Sequence, residues 1–274
     1  MAAFAANSLF ARWALTGIDS DPAIDPAGYT AIRMTSGAVM LWLLVAARGG
    51  DVSAWASGTW ASALALFAYA AFFSFAYITL DTGMGALILF ACVQATMIGW
   101  GLFKGERPTA LAWLGMALAL AGLAYLLSPG LSAPDPFGAA LMVVSGVAWG
   151  VYSLRGRGAA DPLAATAGNF IYAAPIALVL CVIMVSRLDI SFQGLVLAFV
   201  SGAVTSGVGY ALWYNVLRHI TASNAAVVQL TVPVIATGFG IVVLGEDLTL
   251  RIALASLAIL GGVAISLVSK PKDS

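Results

Sequence analysis

The sequence predicts an all-α integral membrane protein with ten transmembrane helices, arranged as two inverted five-helix repeats. Three observations lead to this fold class. First, the 274 residues are 62% hydrophobic and 9% charged, whereas soluble domains carry about 25% charged residues. Second, the apolar residues fall into ten runs of about the length that spans a bilayer. Third, short motifs of the first half of the chain recur in the second half at a nearly constant offset.

The composition excludes two classes of protein. With a mean hydropathy of +0.99, the apolar residues far exceed what one core can hide, so we exclude a soluble protein and expect the lipid bilayer as partner. A net charge of +0 and a pI near 6.5 leave no basic field for phosphate, so no nucleic acid is expected. Cys92 and Cys181 both lie inside apolar runs, and neither a disulfide nor a metal site is expected.

Each predicted helix is an apolar run bounded by charges, proline or glycine. A helix that crosses about 30 Å of hydrocarbon needs about 20 such residues. The ten runs are 1–17, 27–47, 60–79, 84–103, 109–128, 137–154, 163–186, 193–217, 223–244 and 251–269. The first run is at the short limit for a span. The connections are short and hold nearly every charge, so no loop can contain a soluble domain.

The distribution of basic residues predicts the orientation, because short cytoplasmic loops carry the excess of lysine and arginine. Arg187 and Arg251 lie on the side opposite the termini. The basic residues on the side of the termini are Arg48, Lys104, Arg107, Arg155, Arg157, Arg218, Lys270 and Lys272. Both termini should therefore face the cytoplasm.

An internal repeat divides the chain into residues 1–130 and 131–274. The segment Gly105-Glu106-Arg107-Pro108-Thr109 closes the fourth run, and Gly245-Glu246-Asp247-Leu248-Thr249 closes the ninth. Asp25-Pro26 opens the second run, and Asp161-Pro162 opens the seventh. Each half has five runs, an odd number, so the second half should enter the membrane inverted, with a pseudo-twofold axis in the membrane plane.

These motifs resemble the EamA-type, ten-helix branch of the drug/metabolite transporter superfamily. The resemblance rests on the Gly-Glu-x-x-Thr segments of both halves, on Ala31-Ile32-Arg33, and on Gly115 and Gly122. It covers essentially the whole chain, and the aromatic content is similar to that of bacterial aromatic amino acid exporters. The resemblance implies a multi-pass protein of the bacterial inner membrane that exports amino acids.

The runs contain no carboxylate or histidine that could hold a coupling ion. All 12 acids lie in connections or at the ends of runs, and His219 lies in a connection beside Arg218. An intramembrane charge is costly and marks such sites, so transport should follow the gradient of the substrate, without proton coupling. The same absence predicts no enzyme activity, no catalytic residues, no metal and no cofactor.

The candidate substrate-binding residues are neutral polar and aromatic side chains inside the runs. Amide and hydroxyl dipoles can satisfy a carboxylate, and aromatic faces can hold an ammonium group, so such a cavity suits a small zwitterion, an amino acid. Helix packing is the alternative for each of them. The candidates are Asn7, Tyr69, Phe73, Tyr77, Phe90, Gln94, Trp149, Tyr152, Tyr210, Trp213, Tyr214 and Gln229.

Two arginines and two prolines stand apart from this set. Arg12 and Arg33 lie about 8 to 11 Å of helix rise from the predicted outer ends of their helices. They could snorkel or pair with nearby acids, or they could contact a substrate carboxylate at the outer end. Pro175 and Pro233 interrupt helical hydrogen bonds and are candidate hinges, with packing as the alternative.

The resulting hypothesis is a secondary transporter that exports aromatic and other neutral amino acids by alternating access of its two halves. The alternative is a passive channel or facilitator for other small polar metabolites or organic cations. The sequence leaves the oligomeric state open, and a monomer is compatible with it.

The predicted topology can be tested by cysteine labelling. Cysteines that replace Arg48 and Lys272 should react with impermeant thiol reagents only from the cytoplasmic side, and a cysteine at Asp135 only from outside. Labelling of positions 48 and 135 from the same side would contradict the inverted arrangement, because three predicted helices separate them.

Overall fold

The fold is that of a computed structural model of the 274-residue chain. The structure describes residues 1–17, 22–49, 57–105, 108–128, 133–156, 159–217, 229 and 231–268, except the side chains of 214, 215, 217 and 267. These residues are almost entirely helical. Their one β contact is an isolated antiparallel bridge between Ile24 and Ile190.

The first half of the described chain forms five helices. They are α1 (Ala2–Thr16), α2 (Pro26–Ala47), α3 (Trp60–Ala76), α4 (Thr82–Phe103) and α5 (Ala110–Leu127). Each lies within a few residues of its predicted run.

The second half begins with α6 (Pro136–Gly156) and α7 (Pro162–Ile183). Next, α8 consists of three continuous segments, Phe192–Val200, Ser201–Val208 and Gly209–Leu217, of which the middle one is a π-helix. The helix α9 comprises Thr231–Phe239 and a π-helical end, Gly240–Leu244, and α10 is Leu250–Val268. Most of the predicted stretch 223–230 lies outside the described residues.

Six of these helices are long and apolar enough to cross a membrane. They are Pro26–Ala47, Thr82–Phe103, Ala110–Leu127, Pro136–Gly156, Pro162–Ile183 and Phe192–Trp213. Their outward residues are strongly apolar: on α5, for example, Leu111, Leu114 and Leu120 are exposed, as expected for a surface in lipid. The prediction of an all-helical integral membrane protein is confirmed, whereas ten spans and inverted repeats remain predictions.

The repeated motifs have the same local structure in both halves. Asp25 accepts hydrogen bonds from two backbone N–H groups at the start of α2, and Asp161 does the same at the start of α7. In each case a proline, Pro26 or Pro162, follows as the first helical residue, a position where the missing N–H costs nothing. These residues start the two helices because they satisfy donors that have no partner within the helix.

The Gly-Glu segments also have corresponding roles. Gly105 follows the end of α4 with φ 89°, and Gly245 follows the end of α9 with φ 68°. Both lie in the left-handed region that glycine adopts without strain and that commonly ends helices. Thr109 and Thr249 then accept hydrogen bonds from the backbone N–H three residues later, which starts α5 and α10.

The main helix contacts join the two halves. Helix α2 packs on α7, α4 on α9 and α5 on α10, so helices at corresponding positions of the two halves meet. In addition, α3 packs on α6, and α1 packs on α8. If the two halves are exchanged, each of the pairs α2–α7, α4–α9 and α5–α10 corresponds to itself, and the pair α3–α6 corresponds to the pair α1–α8. One buried apolar cluster includes residues of all these helices.

Helices α2 and α8 approach each other most closely at Gly202. A Cβ atom built there would lie 2.3 Å from the carbonyl oxygen of Arg33 and 2.0 Å from Oγ of Ser36. Gly202 therefore permits backbone contact between the π segment of α8 and the middle of α2.

This contact predicts that Gly202→Ala destabilises the protein. The added methyl group meets the backbone of α2, and overpacking of this kind costs about 1–3 kcal/mol. Gly238→Ala in α9 is the matched control, because a Cβ atom there has no neighbour within 4 Å. Thermal unfolding in detergent should show a lower midpoint for Gly202→Ala only; equal midpoints would contradict the close contact.

Candidate functional site

A completely buried arginine lies between the two halves. Arg33 of α2 is 1% exposed. Its Nη2 donates to Oη of Tyr69 at 3.0 Å, and its Nε donates to Oγ of Ser206 at 3.3 Å. Its Cζ lies 5.3 Å from the ring centroid of Tyr69 and 5.0 Å from that of Phe73. The arginine is thus held by α3 of its own half and α8 of the other.

No acid that the structure describes forms an ion pair with this guanidinium. Within the described chain, the ion pairs are Arg12 with Asp81 and Arg12 with Glu246, and none involves Arg33. Its Nη1 has no hydrogen-bond partner among the described residues. The completely buried Tyr29, one helical turn earlier in α2, has its hydroxyl beside that of Ser201. Unpaired buried donors are rare because each costs about 1–3 kcal/mol.

Aromatic rings from three helices surround this position. The ring of Trp149 (α6) lies 4.7 Å from that of Tyr69, 5.4 Å from Tyr152 and 5.4 Å from Tyr210 of α8. Phe73 continues the chain of rings, 5.5 Å from Tyr69. Trp149 is the partly exposed member of this aromatic group, whereas the other four rings are buried.

A polar cluster continues from Arg33 towards α1. Oδ1 of the buried Asn7 accepts hydrogen bonds from the hydroxyl groups of Ser201, Thr205 and Ser206. All three hydroxyls belong to the π-helical segment of α8, and Ser206 also accepts from Arg33. A π segment has a wider turn than an α-helix and is frequent at functional sites; here it directs three hydroxyls to one amide.

A second charged cluster lies at the predicted outer end. Arg12 donates to the carbonyl oxygens of Tyr77 and Ile78, and its Nη2 lies 3.3 Å from Oδ1 of Asp81. Its Nε lies 3.7 Å from Oε1 of Glu246. The carboxylate of Glu246 also accepts hydrogen bonds from the backbone N–H and the hydroxyl of Thr82, so it caps the start of α4 from the other half.

The two predicted arginines therefore have different positions. Arg12 lies near the C-terminal end of α1, and it pairs with Asp81 and Glu246 rather than with Asp25; Asp19 and Asp21 lie outside the described residues. Arg33 neither snorkels nor pairs with an acid of the described chain. The distance from the helix end was a poor guide, because α2 is enclosed by α3, α7 and α8 at that depth.

The structure brings together seven of the twelve predicted substrate-binding residues. Five form the aromatic group, Tyr77 packs on one of its rings, and Asn7 belongs to the polar cluster. Tyr77 packs edge to face on Phe73 with centroids 4.7 Å apart, and Trp213 packs on Phe4, which also contacts Tyr210. The seven are Asn7, Tyr69, Phe73, Tyr77, Trp149, Tyr152 and Tyr210.

Other predicted residues lie elsewhere. Phe90 is buried in α4, and the side chain of Tyr214 lies outside the described part. Gln229 is half-buried, between neighbours that are not described. Of the candidate hinges, Pro175 lies exposed within α7, and Pro233 is buried near the described start of α9.

Gln94 lies on a different side of α4 from the aromatic group. Cys92 and Thr96 of α4 face α6, where they meet Gly146 and Gly150. Gln94 is two residues from each of these, so its side chain points to the opposite face of α4. There it lines a cavity of about 280 Å³ between α4, α5 and α10. The lining is mainly apolar and includes Trp113 and Met116.

Several residues of the site were not identified from the sequence. They are Phe4, Tyr29, Ser201, Thr205 and Phe170, whose ring lies 6.0 Å from that of Tyr210. The spacing of Tyr29 and Arg33 by one helical turn was a usable signal, because it places both on one face. In the described ranges, no group of three His, Cys, Asp or Glu residues could hold a metal ion.

The position of Glu246 predicts a pH-dependent stability. Burial raises the pKa of this carboxyl above its ordinary value of 4.5, opposed by the hydrogen bonds from Thr82. A raised folded-state pKa stabilises the protein at low pH, and this contribution is lost as the pH rises through the raised value. Glu246→Gln cannot titrate, so its melting temperature should rise relative to that of the wild type as the pH increases above 4.5.

The control for this measurement is Asp247→Asn, which changes the neighbouring exposed acid. Its melting temperature relative to the wild type should not follow the same pH dependence. A difference between Glu246→Gln and the wild type that stays constant with pH would contradict the prediction.

Comparison with known proteins identifies the family. Residues 136–268 match the EamA-like transporter family. A Pseudomonas aeruginosa protein, described as uncharacterized protein PA1977, is 49% identical over 270 residues, which is 98% of this chain and 92% of that protein. An uncharacterized transporter of Archaeoglobus fulgidus is 26% identical over 72% of each chain, and the uncharacterized transporter YoaV of Bacillus subtilis is 23% identical over 67% of this chain and 65% of its own.

A similar fold is known experimentally. A crystal structure with 20% sequence identity aligns over 98% of this chain and 97% of that chain, with a TM-score of 0.69. The alignment supports the fold, and the sequence relatives support the function class. The chain belongs to the EamA-like transporter family of the drug/metabolite transporter superfamily and is a multi-pass membrane transporter.

Proposed function

We propose that this transporter exports aromatic and other neutral amino acids across the bacterial inner membrane. It works by alternating access of two inverted five-helix halves, residues 1–130 and 131–274, and without proton coupling. Both termini face the cytoplasm in this proposal.

The observation that carries the proposal is the aromatic group between the halves. Tyr69 and Phe73 come from the first half, and Trp149, Tyr152 and Tyr210 come from the second. Aromatic faces attract an ammonium group and stack on an apolar or aromatic side chain. A site composed of both halves also changes its access when the halves move relative to each other, which is the basis of alternating access.

Two features of the fold support the inverted repeat. The caps of α2 and α7 are equivalent, with Asp25 and Asp161 in the same role. Equivalent helices also meet across the boundary between the halves, as α2 and α7 do. Contacts of this kind are expected where a pseudo-twofold axis passes between two related units.

The position of the acids supports transport without a proton relay. Every acid that the structure describes lies in a connection or at the start of a helix, as Asp81 and Asp135 do at the starts of α4 and α6. His219 lies outside the described residues. A substrate gradient can drive uniport or exchange without an intramembrane carboxylate.

The functional test is transport by the purified protein in proteoliposomes. We expect saturable uptake of labelled phenylalanine and other neutral amino acids, with counterflow when the vesicles are loaded with unlabelled substrate. A pH gradient alone should not concentrate the substrate. Flux that does not saturate would instead indicate a passive channel, and uphill uptake driven by a pH gradient and abolished by an uncoupler would contradict the absence of proton coupling.

The same assay tests the aromatic group. Trp149→Ala removes the ring that contacts three others and should reduce transport several-fold, since aromatic contacts contribute about 0.5–1.5 kcal/mol each. Trp60→Ala is the matched control, because Trp60 is 59% exposed and stacks only on Tyr172 among the described rings. Equal transport per folded molecule in both variants would assign Trp149 to packing.

A further inference from the structure

We infer that Arg33 binds a carboxylate of the transported molecule, so that the site selects amino acids and small organic acids over organic cations. This inference rests on the proposed function, which leaves the group that holds the substrate's charge undefined. It follows from the charge of Arg33, from its unpaired donor and from its place between the halves.

The charge of Arg33 is the first step of the argument. A buried arginine normally has a carboxylate partner, because removing a guanidinium from water costs several kcal/mol that an ion pair offsets. Arg33 is 1% exposed, and its partners in the described part of the chain are neutral: the hydroxyl groups of Tyr69 and Ser206 and two aromatic faces. Among these residues its positive charge is uncompensated, and an anionic ligand would neutralise it.

A hydrogen-bond donor of Arg33 that has no partner in the described chain indicates where the anion binds. This donor is Nη1, and the side chain is 1% exposed. Tyr29 lies one turn earlier on the same helix, with its hydroxyl beside that of Ser201. A carboxylate oxygen can accept a hydrogen bond from Nη1, and such a bond to an arginine is charge-assisted.

The surroundings account for the rest of a substrate. Tyr69, whose hydroxyl binds Arg33, has its ring against Trp149, the partly exposed ring of the aromatic group. A molecule with its carboxylate at Arg33 can place its side chain and ammonium group against the rings of Trp149 and Tyr152. An organic cation without a carboxylate would meet the guanidinium with a like charge.

The alternative is that Arg33 only joins α2, α3 and α8. In that case it would stabilise the fold and would not distinguish a carboxylate from an uncharged group of the same shape. Two matched pairs of probes separate the two roles: benzoate against benzamide, and phenylalanine against phenylalaninamide.

The first experiment uses the wild-type protein in detergent and measures its melting temperature with each probe over a millimolar range. Benzoate and phenylalanine should raise the melting temperature with increasing concentration, as ligands of the folded state do, and their amides should not. Equal shifts within the two pairs, or no shift with either carboxylate, would overturn the inference.

Substitutions then locate the effect. Arg33→Met should abolish the shift caused by benzoate while keeping a melting temperature at or above that of the wild type, because it removes an uncompensated buried charge. Arg33→Lys keeps the charge but lacks the planar fork of donors, so it should weaken benzoate binding on the order of tenfold, as expected for the loss of one hydrogen bond to a charged group. Unchanged benzoate binding in Arg33→Lys would overturn the inference even if Arg33→Met does not fold.

The control variant is Arg155→Met. Arg155 is an exposed arginine at the end of α6 whose Nε donates to Ser62, so its loss should leave the benzoate shift unchanged. Loss of the shift in Arg155→Met as well would show a general charge effect and would contradict a site at Arg33.

The binding assay tests the carboxylate site and the transport assay tests amino acid export, so each proposal can be rejected without the other. Binding that depends on Arg33 without amino acid transport would support the inference and reject the proposed export of amino acids. Transport of phenylalanine and of its amide at equal rates would support a transporter and overturn the carboxylate site.

Discussion

The fold depends on satisfying polar backbone groups within the protein, because lipid offers them no hydrogen bonds. Several of these partners cross between the halves. Glu246, in the connection after α9, caps the start of α4 through Thr82. Asn169 of α7 accepts from the backbone N–H of Thr59 at the start of α3. The second half therefore supplies side chains that complete helix ends of the first, and the halves cannot separate fully without exposing unpaired donors.

A buried side chain at the centre departs from this pattern. Helix caps and the Asn7 cluster pair nearly all of their donors, but Nη1 of the buried Arg33 has no partner among the described residues. Binding sites commonly keep polar groups unpaired until the ligand arrives, and the energy that this costs is recovered on binding. The close approach of α8 at Gly202 fixes the position of Arg33 from the other side.

Local sequence signals predicted the helices and their ends, but not their rotation. Helix caps and helix-ending glycines interact with residues that are close to them in sequence, so local sequence is enough to predict them. This holds for the caps Asp25 and Asp161 and for the glycines Gly105 and Gly245. The depth of Arg33 depends on which helices surround α2, and that depends on contacts distant in sequence. The face of Gln94 was missed for the same reason, because the apolar α4 has no polar side that would identify its inner face. The π segment of α8 follows no sequence rule that we could apply.

The burial of Arg33 also has a consequence for the ion gradients across the membrane. A fixed positive charge in a region of low dielectric constant repels other cations strongly, as arginines do in water channels that exclude protons. Its guanidinium lies at the boundary between the halves and therefore presents Na⁺ and hydronium ions with an electrostatic barrier. Under the proposed mechanism of alternating access, this barrier would let the protein carry its substrate without dissipating the ion gradients on which other transporters depend.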